Sequence, residues 1–387
     1  MPELYSTPLD PHASPSDDVS PIDLSVPRSM REKARADIPA WPGYAATPLL
    51  SLVGLAAELG VAAVLAKNEA GRFGLGSFKA LGGAFAVAEA LAGRNAATAT
   101  VVTASDGNHG LSVAWGAKRL GCSCKIYLHG NVAESRADLI RAQGAEVVRI
   151  AGNYDDSTHQ ARADARANDW LLVSDTAIAA DDTAPGVVMA GYTVMMDEIV
   201  AELAARGVLP THVFVQGGCG GLAAAAFGAL FEAWNRSGVE GPRFVMVEPD
   251  KADCLFQSAK AGKPVRIDGD LDTVMGGLSV GEVSLTAWRT IERIVGDYLL
   301  IDDDAAIRTM TALGEGRFGD AALVVGDAGS AGLAGLIEAA QHAGIRAALN
   351  LDETSVVLTI ITEGAVDAAG YRALTGLDPR TLGEAAA

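Results

Sequence analysis

Cysteine is scarce in this chain, with four in 387 residues. At that length the number excludes a disulfide framework as the source of stability. Cys122 and Cys124 form a C-x-C pair with no second pair and no His pair nearby. Both read as small apolar residues of a strand, and no metal site is expected. Aromatic residues are also few, at 5%. Basic residues are outnumbered, 30 Lys+Arg against 48 Asp+Glu, for a net charge of −18. Such a surface keeps a protein soluble and argues against nucleic acid or an anionic membrane as a partner. No uninterrupted apolar run reaches the roughly 18 residues that a membrane helix needs. The opening residues, MPELYSTPLDPHASPSDD, lack the basic start and apolar core of a secretion signal. A cytoplasmic protein is expected.

What is present is a globular profile, 49% hydrophobic and 20% charged. The length suffices for two ordinary domains. Residues 1–43 are polar and rich in Pro and Ser, and are expected to form a loosely packed arm. Beyond them, short β-rich runs alternate with Ala-rich stretches of helical period. Strands are expected at 61–69, 98–105, 124–130, 146–150, 170–175, 211–218, 243–249 and 355–364. Helices are expected at 77–93, 109–121, 132–144, 156–169 and 187–205. This alternation implies an α/β fold, doubly wound, with mostly parallel sheets covered by helices on both faces. In such sheets ligands bind beyond the carboxyl ends of strands.

Three strand-to-helix turns carry candidate chemistry. In Phe73-Gly74-Leu75-Gly76-Ser77-Phe78-Lys79-Ala80 a lysine opens a helix. The helix dipole repels a cation there, so Lys79 is misplaced unless its amine is used. A lysine amine can condense with a carbonyl cofactor. A solvent-facing lysine is the bland alternative. In Thr103-Ala104-Ser105-Asp106-Gly107-Asn108-His109-Gly110, small residues allow close approach of a ligand, and Asn108 can donate to a phenolate-like oxygen. The same residues are common in ordinary turns. In Gln216-Gly217-Gly218-Cys219-Gly220-Gly221-Leu222 a glycine run precedes a helix. Such a loop presents backbone N–H groups and a helix dipole to one anion. No Lys-Ser/Thr follows it, and it is not G-x-G-x-x-G, so a lone phosphate fits better than a nucleotide. Tight packing of helix on strand is the competing reading.

Together, in this order, the three segments resemble the fold-type II pyridoxal-phosphate (PLP) enzymes, the group of threonine dehydratase and the tryptophan synthase β-chain. Within that group the resemblance is to the diaminopropionate ammonia-lyases. It rests on Lys67-Asn68-Glu69, Arg72-Phe73-Gly74-Leu75, Ser77-Phe78-Lys79-Ala80-Leu81-Gly82-Gly83, Asp106-Gly107-Asn108-His109-Gly110, Asp175-Thr176-Ala177, Gly191-Tyr192, residues 247–254, Met275-Gly276-Gly277-Leu278 and Thr362-Glu363-Gly364. These span nearly all of the chain from about residue 45 to about 372. The resemblance implies a PLP cofactor in a cleft between two domains. Residues 44–89 and 179–387 would form the large domain and 90–178 the small one. Lys79 would carry the cofactor and act as base, with Phe78 near the ring and Asn108 on the ring hydroxyl oxygen. Gly217, Gly218, Cys219, Gly220 and Gly221 would cradle the phosphate. Thr362 would face the pyridine nitrogen. Asp106 and Asp175 would be the acidic pair that handles the substrate amine and proton transfer. The implied reaction is α,β-elimination of 2,3-diaminopropionate to pyruvate and ammonia, in a homodimer. The alternative substrate is serine, threonine or another β-substituted amino acid.

The pattern departs from the family in three places. The family's Ser-Thr-Glu-Gly run begins here with Ile361, which leaves Thr362 as the hydroxyl partner. A Gly-Glu-Ser-Gly stretch is here Gly326-Asp327-Ala328-Gly329. After Asp175-Thr176-Ala177 the usual aromatic residues are replaced by 178–186, with Asp181 and Asp182. The last change bears on substrate choice rather than on fold or cofactor.

Overall fold

The computed structural model describes residues 1–9, 20–105, 107–130, 132–152, 154–237 and 241–383. Eleven strands occur among them: β1 Glu3–Ser6, β2 Leu49–Ser51, β3 Ala63–Asn68, β4 Thr100–Ala104, β5 Ser123–His129, β6 Glu146–Ile150, β7 Leu171–Leu172, β8 His212–Gln216, β9 Arg243–Pro249, β10 Asp297–Ile301 and β11 Val356–Ile361. Seven make one sheet in the order β1-β10-β9-β8-β11-β3-β2. Its five inner strands are parallel, and only the edge strands β1 and β2 run antiparallel to their neighbours. The other four form a second, fully parallel sheet in the order β6-β5-β4-β7. This is the doubly wound α/β architecture that the alternation implies. β8 is buried at every position, as expected of a central strand covered by helices on both faces.

Helices Lys79–Ala90, Asn108–Leu120 and Ala184–Arg206 link the two sheets. They approach closely because small residues meet at the crossings. A Cβ on Gly82 would lie 2.6 Å from the Val188 carbonyl oxygen, and one on Gly191 would lie 2.4 Å from that of Leu81. The long helix Ala184–Arg206 buries Val188, Met195, Met196 and Ile199 at 3% exposure or less, each worth about 1.5–3 kcal/mol relative to exposure. Lys67, Glu69, Arg72 and Glu198 form a buried ionic cluster at the base of the segment leading to Lys79. Lys67 Nζ lies 2.5 Å from Glu198 Oε2, and Arg72 donates to Glu69 and Glu198 at 2.8 Å. Three residues of the matching stretches, Lys67, Glu69 and Arg72, therefore anchor the frame together with Glu198 rather than face the cleft.

In its described parts, residues 1–9 and 20–43, the N-terminal region is not a loose arm. β1 pairs with β10, and Ile22, Val26, Ala34 and Ile38 are completely buried. Arg31 is buried too and donates to Glu232 at 2.7 Å and to Asp23. The polar composition masks this packing, but the spacing of Ile22 with Val26 and of Ala34 with Ile38 is one helical turn each. The segment 170–175 contributes only the two-residue β7 and continues as a loop. The edge strands β1 and β2 are too short for period-2 patterning to show. β10, fully buried, has no polar alternation to mark it.

Candidate active site

The carboxyl ends of β3, β4, β7, β8 and β11 converge on a cavity of about 110 Å³. Each turn brings one candidate to it. β8 leads into the glycine loop, β11 into Thr362 and Glu363, β4 into Asn108 and β7 into Asp175. β3 leads through a short 3₁₀ segment to Lys79, the first residue of its helix. Of the expected residues, Phe78, Lys79, Asn108, Asp175, Gly218, Cys219, Gly220, Gly221 and Thr362 all line the cavity. Asp106 lies outside the described residues. Gly217 does not line the cavity. Its N–H continues the sheet by donating to Val247 O at 2.8 Å, and a Cβ there would meet Leu255 at 2.7 Å. That glycine serves packing against β9, and the loop's cavity-facing residues begin at Gly218.

Lys79 Nζ lies 2.7 Å from Asp175 Oδ2. The helix dipole that disfavours a cation at this position is countered by that carboxylate. Burial works to lower the Lys79 amine, but Asp175 more than reverses it and holds it well above its ordinary range. Burial works equally to raise the Asp175 carboxyl. His109 and Lys79 overcome it and hold the carboxyl well below the usual carboxylate range. The ammonium sits 5.5 Å from the Phe78 ring centre and 5.9 Å from that of Tyr192. His109 Nε2 donates to Val173 O at 2.9 Å, and Nδ1 lies 3.8 Å from Asp175 Oδ2. Burial pushes the imidazole down, and Asp175 opposes it.

Opposite Lys79, the glycine loop opens the helix Gly221–Ser237. The first N–H groups of a helix have no intrahelical partner and suit an anion. Gly220 has φ +96°, a conformation that L side chains rarely adopt, and a Cβ there would strike Ile291 at 2.7 Å. Thr362 Oγ1 accepts from Gln216 Nε2 at 2.9 Å, which leaves its own proton free to point elsewhere. Gln216 Nε2 also meets Ala328 O and Ile360 O, whereas its Oε1 is buried with no partner among the described residues. A lysine amine, a glycine-built anion cradle, a hydroxyl and an orphaned buried amide oxygen around one cavity fit PLP. His109, Tyr192, Gln216, Glu363 and Arg136 also belong to this region, and none was singled out for a role from sequence. Tyr192 and His109 lay within matching stretches, which was the available signal. Gln216 and Glu363 each sit beside a residue that was chosen. Of the acids gained after Asp175, Asp182 is occupied elsewhere: it accepts from Arg162 at 2.8 and 3.0 Å and from the backbone N–H groups of Ile178 and Ala179.

A buried lysine and a glycine loop suited to an anion, facing one cavity at the carboxyl ends of a doubly wound sheet, are the features of a PLP-dependent enzyme. The model of the pyridoxal-phosphate dependent enzyme family matches residues 40–363. The chain belongs to that family and, within it, groups with the diaminopropionate ammonia-lyases. It is 35% identical over 350 residues to the Escherichia coli K12 diaminopropionate ammonia-lyase, covering 85% of this chain and 87% of the relative. The Salmonella typhimurium enzyme of that name is 34% identical, covering 84% of this chain and 86% of the relative. A solved structure of the E. coli lyase, in complex with an aminoacrylate–PLP azomethine reaction intermediate, is 32% identical. It matches with a TM-score of 0.86 over 97% of both chains. The cofactor is pyridoxal 5′-phosphate, and the chain is a PLP-dependent ammonia-lyase by family.

Proposed function

We propose that the chain eliminates ammonia from 2,3-diaminopropionate to give pyruvate. The observation that carries this reading is the Lys79–Asp175 pair at 2.7 Å inside a cavity walled by the glycine loop. The likeness to diaminopropionate ammonia-lyases over most of both chains supports the choice of substrate. When bound, PLP supplies an electron sink that makes the α-proton of an amino acid acidic.

The chain's own residues supply the rest. Gly218, Cys219, Gly220 and Gly221 hold the phosphate, Phe78 lies beside the ring, Asn108 meets the ring oxygen and Thr362 the pyridine nitrogen. Lys79 Nζ takes the α-proton as the β-amino group leaves as ammonia, and water then releases the α-amino group as a second ammonia and leaves pyruvate. Asp175 is a weak base while the ammonium faces it. Once Lys79 loses its charge, one of the two groups that hold the carboxyl down is gone, and burial weighs more heavily on Asp175 Oδ2, which makes it a better base. Asp106 completes the acidic pair and suits a cationic β-ammonium better than a neutral β-hydroxyl. The described walls, with Tyr192 and Phe78 packed at 4.7 Å between ring centres, limit water around Nζ.

The two sheets support a division into a small domain, 90–178, and a large PLP-binding domain, 44–89 with 179–387. A cytoplasmic homodimer is part of the proposal on the family resemblance alone. Among the described residues no helix is long and apolar enough to cross a membrane.

A second reading keeps the cofactor and changes the substrate to serine, threonine or another β-substituted amino acid. An E. coli lyase structure in complex with D-serine, 31% identical to this chain, favours keeping it in view. Steady-state ammonia release from diaminopropionate, serine and threonine separates the two. The first reading requires the highest kcat/KM for diaminopropionate, and a higher value for either hydroxy amino acid would replace it with the second.

A further inference from the structure

Glu363 is a buried carboxyl in the cavity wall that the reaction outlined above does not use. Its two oxygens both accept. Oε2 takes the Asn108 Nδ2–H, and Oε1 takes the Ala328 N–H at 3.2 Å. The first bond joins the turn after β4 to the turn after β11, and so crosses from one sheet to the other.

The backbone around Glu363 is fixed on two sides. Phe78 N–H donates to Thr362 O, and Gly364 N–H donates to Gly76 O, each at 3.0 Å. Ser77 bridges Glu363 between them. This zips residues 362–364 to the segment that delivers Lys79. On the other side Gly326 N–H donates to Glu363 O at 3.0 Å. A Cβ on Gly326 would come within 2.4 Å of the Gly364 oxygen and 2.8 Å of Glu363 Cγ. One on Gly329 would come within 2.5 Å of Glu363 O. The Gly326-Asp327-Ala328-Gly329 stretch is therefore shaped around this side chain. Burial and the neighbouring Asp327 carboxyl push the Glu363 carboxyl up, and Arg136 and Asn108 oppose them.

A carboxamide nitrogen has two N–H groups. Glu363 occupies one of those of Asn108 and thereby fixes the plane of the amide, leaving the second for a ligand. We propose that Glu363 is the positioning residue that aims Asn108 at the ring oxygen of the bound cofactor, across the cleft from the sheet that carries Lys79. The proposal rests on the reading that Asn108 meets that oxygen.

Glu363→Gln tests it with little change in volume. The amide NH₂ can turn to Asp327 Oδ1, which already takes the Ala328 N–H at 2.7 Å, so Glu363→Leu, which removes both acceptors, is measured beside it. The measurement is the absorbance spectrum of the holoenzyme, which responds to hydrogen bonding at the ring oxygen, alongside the bound PLP per chain and the Tm without cofactor. Expected is a full complement of PLP, a changed ratio of the cofactor's two absorbance bands, and a kcat lower by about 10- to 100-fold, the cost of a small misplacement. Asn108→Ala should change the bands in the same sense. The double variant should add little further, because the two residues act through one contact. A Glu363→Leu spectrum identical to that of the parent, with Asn108→Ala shifted, would overturn the role of Glu363 and leave Asn108 in place. An Asn108→Ala spectrum without change would remove Asn108 from the ring oxygen, and the proposal with it. If Glu363→Gln lowers Tm too far to purify, Gly329→Ala probes the same contact by displacing the Glu363 backbone and must shift the bands likewise.

Discussion

Lys79 Nζ and Asp175 Oδ2 lie 2.7 Å apart, an ion pair set 96 residues apart in sequence and joined only by the fold. Its pH dependence follows from the two shifts. Lys79 is raised above its unfolded value, so its contribution is complete below about pH 10.4 and is lost as pH rises through the higher folded value. Asp175 is depressed, so its contribution is complete above about pH 3.9 and is lost as pH falls toward the lower folded value. The pair therefore stabilises the cofactor-free chain evenly across the range between. Asp175→Asn leaves an uncompensated, mostly buried ammonium and should cost about 3 kcal/mol. With Asp175 gone, burial is left to lower the Lys79 amine, so in urea unfolding from pH 9 to pH 5 the variant should lose stability relative to the parent as pH falls. A difference that stays constant or narrows as pH falls would contradict the assignment.

Gly220 tests the phosphate cradle. Its φ of +96° and the 2.7 Å approach of a Cβ to Ile291 leave no place for a side chain. Gly220→Ala should cost about 1–2 kcal/mol of backbone strain. If the loop relaxes to relieve it, PLP affinity falls about tenfold for each 1.4 kcal/mol of lost contact. Equilibrium dialysis against PLP reads the affinity, and an unchanged Kd would place the phosphate elsewhere.

Thr362 separates a chemical role from a structural one. Gln216 Nε2 keeps Ala328 O and Ile360 O as acceptors when the hydroxyl is removed. Thr362→Val should therefore lower stability by no more than about 1 kcal/mol. Its kcat should fall by about 100-fold, as when one placed donor is lost from a reacting centre. A variant that loses stability but keeps its kcat would make the residue a part of the frame.

The N-terminal strand closes an edge. β1 pairs four residues with β10, from Glu3 opposite Leu300 to Ser6 opposite Asp297. Deleting residues 1–9 should cost about 2 kcal/mol in ladder hydrogen bonds and expose an apolar edge that promotes association. Light scattering and urea unfolding of the truncated chain measure both effects. Equal stability and solubility would show that β1 is dispensable.

Much of the site was legible because its residues lie in strand-to-helix turns, where short motifs report their own geometry. Lys79 at a helix start, Asn108 after β4 and the glycines after β8 are of this kind. The glycine run does not show where the sheet ends: the Gly217 N–H belongs to the ladder with β9, and the loop's cavity-facing residues begin after it. Gln216 and Glu363 act through partners more than 100 residues away, and no local pattern reports such contacts. The parallel core of the large sheet was legible from its apolar runs, apart from β10. The N-terminal packing was not, because four buried apolar side chains are spread through a polar segment.

The central claim is a cofactor held by Lys79 and a substrate that carries a β-amino group. The most direct measurement is the visible spectrum of the purified protein with PLP, before and after addition of DL-2,3-diaminopropionate, with pyruvate assayed in the same cuvette. The account predicts a visible band that shifts on addition while pyruvate accumulates, and neither the covalent band nor pyruvate in Lys79→Ala. A protein that shows no band after incubation with PLP, or a Lys79→Ala variant that keeps both, would contradict it.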